Sequence, residues 1–125
     1  MDFKRWLTLK TRPIKFLWQR YTRGYSDSNL WNLDGFLANL LLNCIRDFRN
    51  NAQAGYPCHF ETYEDWDAVL AEMEAGFLAA KRISEDAWMN EKIDAKDWKQ
   101  WNDGEMRKFN KGMYLFHKYF FNLWD

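Results

Sequence analysis

A chain of 125 residues and 15.3 kDa has the usual length of one domain and can bury a core without disulfides or metal. With 47% apolar and 29% charged residues it is not a disordered chain, and 18 bases against 18 acids argue against a dedicated basic nucleic-acid binder. Two cysteines without a Cys-x-x-Cys, no secretory leader and no apolar run of transmembrane length lead us to expect a reduced, cytoplasmic setting.

Helical spacing recurs along almost the whole chain and strand alternation almost nowhere. Residues 1–12 hold Phe3, Trp6, Leu7 and Leu9 without a clean period. Pro13 suits the first position of a short helix with Ile14, Leu17, Trp18 and Tyr21 on one stripe, ended by Gly24. Ser26, Asp27 or Ser28 then caps a strong helix, where Leu30, Leu33, Leu37, Leu40, Leu41, Cys44 and Phe48 recur at three and four residues. Trp31 and Asp34 fall in its opening turns, and the helix dipole favours the carboxylate there. Cys44, on the apolar stripe, reads as a small buried hydrophobe.

Residues 50–60 form a turn region broken by Gly55 and Pro57. Thr62-x-x-Asp65 resembles a capping box, with Asp in place of the usual Glu. It opens a helix with Trp66, Val69, Leu70, Met73, Phe77 and Ala80 as its apolar set, which Ser84-x-x-Ala87 restarts or continues. The segment from Ser84 to Asp103 is very polar, so Trp88, Trp98 and Trp101 either cover another helix or face a partner. Gly104 breaks the pattern before a final helix with Met106, Phe109, Met113, Phe116, Phe120 and Leu123 at three and four. Tyr114, Phe121 and Trp124 widen that face, which must be deeply buried or an oligomer contact. The expected fold class is all-α, a compact bundle of four to five helices in a single domain 1–125, with a basic aromatic N-terminal segment 1–23.

Two distributions bear on function. The 8 Trp, 10 Phe and 6 Tyr make up 19% of the chain, and large rings dominate both cores and interfaces. Charge is uneven beneath the neutral total. Residues 1–23 carry seven bases (Lys4, Arg5, Lys10, Arg12, Lys15, Arg20, Arg23) against Asp2, a net of +6. Residues 61–103 carry twelve acids against five bases, a net of −7. Such polarity serves docking to an anion, internal neutralisation or head-to-tail self-association.

Arg23-Gly24-Tyr25-Ser26-Asp27, followed by Trp31-Asn32-Leu33-Asp34, a leucine-rich helix and Gly55-Tyr56-Pro57, resembles a family of small uncharacterised proteins found mainly in tailed-phage genomes. Glu64-Asp65-Trp66 through Met73 and Gly76-Phe77 extend the match, so that it covers roughly half the chain. Asn29 departs from the acidic residue expected there, and the loop after Pro57 lacks the usual glycine. The resemblance implies a phage context and carries no catalytic residues.

Among reaction chemistries, Glu61-x-x-Glu64 and Glu91-x-x-Asp94 are the sharpest pattern, since two such pairs on facing helices can hold Mg²⁺ against a nucleoside triphosphate. It looks like the pattern of all-α nucleotide pyrophosphohydrolases, although Glu61 precedes the expected N-cap. Cys58-His59, with only His117 besides, lacks zinc spacing. No nucleophile elbow, catalytic triad or phosphate loop is present. Binding is the stronger class. Basic residues interleaved with aromatics offer cations for phosphate and flat faces for bases. We expect a non-catalytic protein without a cofactor that counters a host process. It would sequester an anionic nucleotide-like signal or mask a host protein, and self-associate through its last helix. Arg20 and Arg23 are the candidates for phosphate, Trp18 and Tyr25 for stacking, and Trp88, Trp98 and Trp101 for anchoring a partner. Attachment of the basic segment to an anionic membrane surface is a related expectation.

Overall fold

The computed structural model describes residues 2–51 and 55–124. All regular structure among the described residues is helical, as the periodicity predicts: α1 (Phe3–Arg23), α2 (Asp27–Leu30), α3 (Leu33–Asn51), α4 (Tyr63–Ser84), α5 (Ala87–Asn90), α6 (Trp98–Lys118) and a closing 3-10 turn at Phe120–Asn122. The chain divides into two compact units, Met1–Phe36 and Leu37–Asp125, with the boundary inside α3.

In the first unit, α1 starts ten residues before the predicted position, and Pro13 lies inside it. Asp2 caps the helix by accepting from the Lys4 N–H at 3.3 Å. Proline removes one helical hydrogen bond, the donor to the Leu9 carbonyl. The helix tolerates this because α1 contains no buried residue, so water can take up the freed carbonyl. Gly24 ends α1 as predicted, at φ 84°, with its N–H donating to Arg20 O at 2.9 Å. That left-handed geometry is cheap only for glycine.

The long helix predicted from Ser26 onward is interrupted. Ser26 caps the single turn α2, and α3 begins only at Leu33, leaving Trp31 between them and Asp34 in the first turn of α3. Local polar bonds explain the separate turn. Asn29 Oδ1 accepts from the Ser26 N–H at 2.8 Å, the role an acidic residue would otherwise fill. Gln19 clamps the turn onto α1 with two bonds: its amide donates to Asp27 Oδ2 at 2.9 Å, and its carbonyl oxygen accepts from the Asp27 N–H at 2.8 Å. Phe16 meets Trp31 edge-on at 5.7 Å, and the Arg12 guanidinium lies over the same indole at 4.8 Å.

The Gln19 hydrogen bond, followed by that from Arg23, holds the Asp27 carboxyl below its ordinary range. A lowered folded pKa means that the native form binds fewer protons than the unfolded one, so protonation favours opening. The α1–α2 contact is therefore expected to survive mild acid and to loosen only as pH falls through the lowered pKa of Asp27. Carbon-13 NMR of the Asp27 carboxyl checks this, and Gln19→Ala should move its titration upward.

In the second unit, Leu42 and Ile45 of α3 meet Trp66, Leu70, Met73 and Phe77 of α4 in one fully buried cluster. Thr62 caps α4 as predicted, its hydroxyl accepting from the Asp65 N–H at 3.2 Å. Arg49 of α3 forks onto Asp67 of α4 at 3.0 and 3.1 Å and reaches Glu74 at 3.2 Å. Arg82 near the end of α4 binds Glu105 of α6 at 3.1 Å and also Glu91. Of the twelve acids in residues 61–103, Asp67, Glu72, Glu74 and Glu91 are ion-paired within this unit. Helices α4 and α6 approach backbone to backbone where Gly76 faces Gly112, and a Cβ added to Gly76 would lie 2.7 Å from Gly112 Cα.

Helix α4 ends at Ser84, and the chain restarts as α5 after Asp86 at φ 51°. Gly104 does not break the last helix but lies inside α6, which begins at Trp98; glycine in a helix interior costs only about 1 kcal/mol. Cys44 is exposed rather than buried, because α3 gives only Ala38, Leu42 and Ile45 to the core. The aromatic face of α6 is not deeply buried either, since only Glu105 and Gly112 of that helix are. Of the predicted turn region, Asn50 and Asn51 instead complete α3, residues 52–54 lie outside the described residues, and residues 55–60 are irregular, with the Phe60 N–H closing a turn on Pro57 O at 3.0 Å.

Candidate functional site

The four residues proposed to hold a nucleotide lie at the C-terminal end of α1 and in the turn after it. Trp18 and Arg20 line an open apolar face with Ile14, Leu17 and Tyr21. Arg23 and Tyr25 form a separate group, in which the guanidinium stacks on the ring at 4.4 Å and its Nε donates to Tyr25 O at 3.0 Å. The same guanidinium pairs with Asp27, which Lys15 also approaches at 3.7 Å. The backbone N–H groups of Ser26 and Asp27 are taken by Asn29 and Gln19. The junction therefore already holds an anion of its own, the Asp27 carboxylate.

The three candidate anchors fall in the second unit. Trp98, in the first turn of α6, is exposed, whereas Trp88 and Trp101 are half-buried. Arg82 lies over the Trp101 ring at 5.7 Å, and the indole N–H has no hydrogen-bond partner among the described residues. Glu105, one helical turn on, is a buried carboxylate that receives Arg82 at 3.1 Å and Lys108 at 3.3 Å. Sequence reasoning missed it, because a lone acid in an acidic, polar helix gives no signal of burial.

The carboxylates of the hydrolase pattern are not brought together. Glu61 precedes the N-cap Thr62, Glu64 is in the first turn of α4, Glu91 pairs with Arg82, and Asp94 lies in the turn before α6. Among the described residues no three His, Cys, Asp or Glu side chains converge as metal ligands. His59 is committed to packing, stacked on Tyr119 at 5.7 Å and against Phe60 at 4.9 Å.

The conspicuous surface of the second unit is one that the three tryptophans did not mark. At the end of α6 and beyond it, Tyr114, Phe120, Phe121 and Trp124 all face solvent, with Phe121 88% and Trp124 75% exposed. Trp124 shares a small cleft with Tyr56, Pro57 and Asn122. Nearby in sequence, Phe116 and Leu123 border an open apolar groove of about 200 Å³ with Leu41, Cys44 and Phe48 of α3. The aromatic spacing of the last helix is the signal that pointed here. Chemically, such a surface offers area and ring faces for binding. Compared with family models, curated proteins and solved structures, the chain matches none.

Proposed function

We propose that this chain is a non-catalytic, phage-type binding protein that counters a host process by masking a host protein. The contact is carried by the aromatic surface of the second unit, centred on Phe121 and Trp124. The observation that supports it is the exposure of those two rings, together with Tyr114 and Phe120, beside an apolar groove. Large rings carry most of the binding energy at protein interfaces, and exposed clusters of them mark interaction sites. Masking is favoured over sequestering an anionic nucleotide because Arg23 is already neutralised by Asp27, and Trp18 with Arg20 lies on an open face rather than in a pocket.

Purified chain immobilised in host lysate is expected to retain one protein at near-equimolar ratio. The pair Phe121→Ser and Trp124→Ser should lower that retention by tenfold or more. Equal retention by wild type and variant, or none by either, contradicts the proposal. Size-exclusion chromatography with light scattering provides the counter-test: a dimer that the same pair dissolves would assign these rings to a second copy. In a thermal-shift panel of linear and cyclic nucleotides, no stabilisation is expected.

A further inference from the structure

Helix α1 has two unlike sides. At about 100° per residue, Arg12, Phe16, Gln19 and Arg23 share the side that carries α2 and Trp31. Trp6, Leu7, Ile14, Leu17, Trp18 and Tyr21 share the other, with Phe3 at its start, and every one is exposed. Trp18 is 65% and Tyr21 84% exposed, although both belong to a stripe of the kind that a folded chain normally buries.

Of the seven cations in residues 1–23, three lie on or beside this stripe, and Arg5 falls on the side opposite to it. Arg12, Lys15 and Arg23 are engaged with Trp31 or Asp27 on the α2 side. Lys4, Lys10 and Arg20 make no ion pair among the described residues and fall on the apolar face or along its edges. Asp2 is the only acid in residues 1–23. A helix that buries apolar area while its long basic side chains reach sideways to headgroups has the design of an interfacial helix. Tryptophan and tyrosine, with an apolar ring and a polar tip, suit that boundary. No helix among the described residues is long and apolar enough to cross a membrane, so the contact is with a surface. A second α1 is a poor occupant, because pairing two copies of this face would bring Lys10 and its neighbouring cations against one another.

We propose that the exposed apolar face of α1, which carries Lys10 within it and is edged by Lys4 and Arg20, docks on an anionic lipid surface. This goes beyond the masking of a host protein and uses a different surface, so either can fail alone. In co-flotation, the full chain is expected to rise with phosphatidylcholine vesicles containing about one-third phosphatidylglycerol and to stay behind with phosphatidylcholine alone. Binding should weaken with added salt, because the attraction to anionic lipid is screened. Each of these cations contributes about fivefold near an anionic surface, so Lys10→Gln with Arg20→Gln should lower binding by about tenfold or more. Leu17→Ser with Trp18→Ser should abolish it while circular dichroism shows the helices intact, since neither residue is buried. The proposal is overturned if the wild type does not float with anionic vesicles, or if both pairs float as well as the wild type. A multimer in light scattering that Leu17→Ser with Trp18→Ser dissolves would overturn it too, by assigning the face to a second copy.

Discussion

Trp66→Ala is expected to destabilise the second unit by about 3–5 kcal/mol, the usual cost of truncating a fully buried large ring. Trp66 is 1% exposed and is the largest side chain in the buried cluster. Phe60 packs on it at 5.3 Å and Tyr119 meets it edge-on at 5.7 Å. The first ring comes from the loop before α4 and the second from the end of α6, while Leu42 and Ile45 approach from α3. One side chain thus joins the three long helices of this unit. Urea unfolding followed by far-ultraviolet circular dichroism measures the loss. A cost under about 1 kcal/mol would mean that the site collapses freely and that this cluster is not the core.

Gly76→Ala and Gly112→Ala are each expected to cost about 1–3 kcal/mol, although alanine is the better helix former by about 1 kcal/mol. The reason is where the new methyl would lie. From Gly76 it meets Gly112 Cα at 2.7 Å and Lys108 O at 2.9 Å; from Gly112 it meets Gly76 Cα at 2.8 Å and Glu72 O at 3.1 Å. These are backbone atoms, so the helices must separate, and the contacts along α4 and α6 loosen with them. Gly104→Ala provides the control in the same helix. Its nearest atom is the end of the Arg107 side chain at 3.8 Å, an ordinary contact, so propensity alone should act and stability should rise by about 0.5–1 kcal/mol. If all three substitutions stabilise alike, the close crossing of α4 and α6 is wrong.

The all-α class and the α4 core were legible because Trp66, Leu70, Met73 and Phe77 keep strict helical spacing behind a recognisable N-cap. Helix α1 was harder to read. Phe3, Trp6 and Leu7 do continue the stripe of Ile14, Leu17 and Trp18, but Lys10 interrupts it, Leu9 falls off it, and Pro13 imitates a start. The interruption of the helix after Leu30 was hidden for a different reason. It follows from hydrogen bonds of Gln19 and Asn29, and a bond spanning eight residues leaves no periodic trace.

Glycine misled in two directions. Gly104 is an accommodated helix glycine, whereas Gly76 and Gly112 mark a close crossing, and local sequence looks the same in each case. Burial of Cys44 failed because an apolar stripe says that a face prefers cover, not that the chain supplies it. At the ends of α1 and α6 that shortfall is itself informative. Both surfaces were announced by an aromatic excess, while the rings best placed to use it, Phe121 and Trp124, were read only as widening a face.

The most direct test of these surfaces is hydroxyl-radical footprinting of the dilute free chain, read ring by ring by peptide mass spectrometry. Trp18, Tyr21, Phe121 and Trp124 are expected to be oxidised at rates near those of unfolded peptides, with Trp66 and Phe77 strongly protected. Trp18, Tyr21, Phe121 and Trp124 as protected as Trp66 in the monomer would contradict the account, because the chain would then cover its own rings and leave nothing with which to bind.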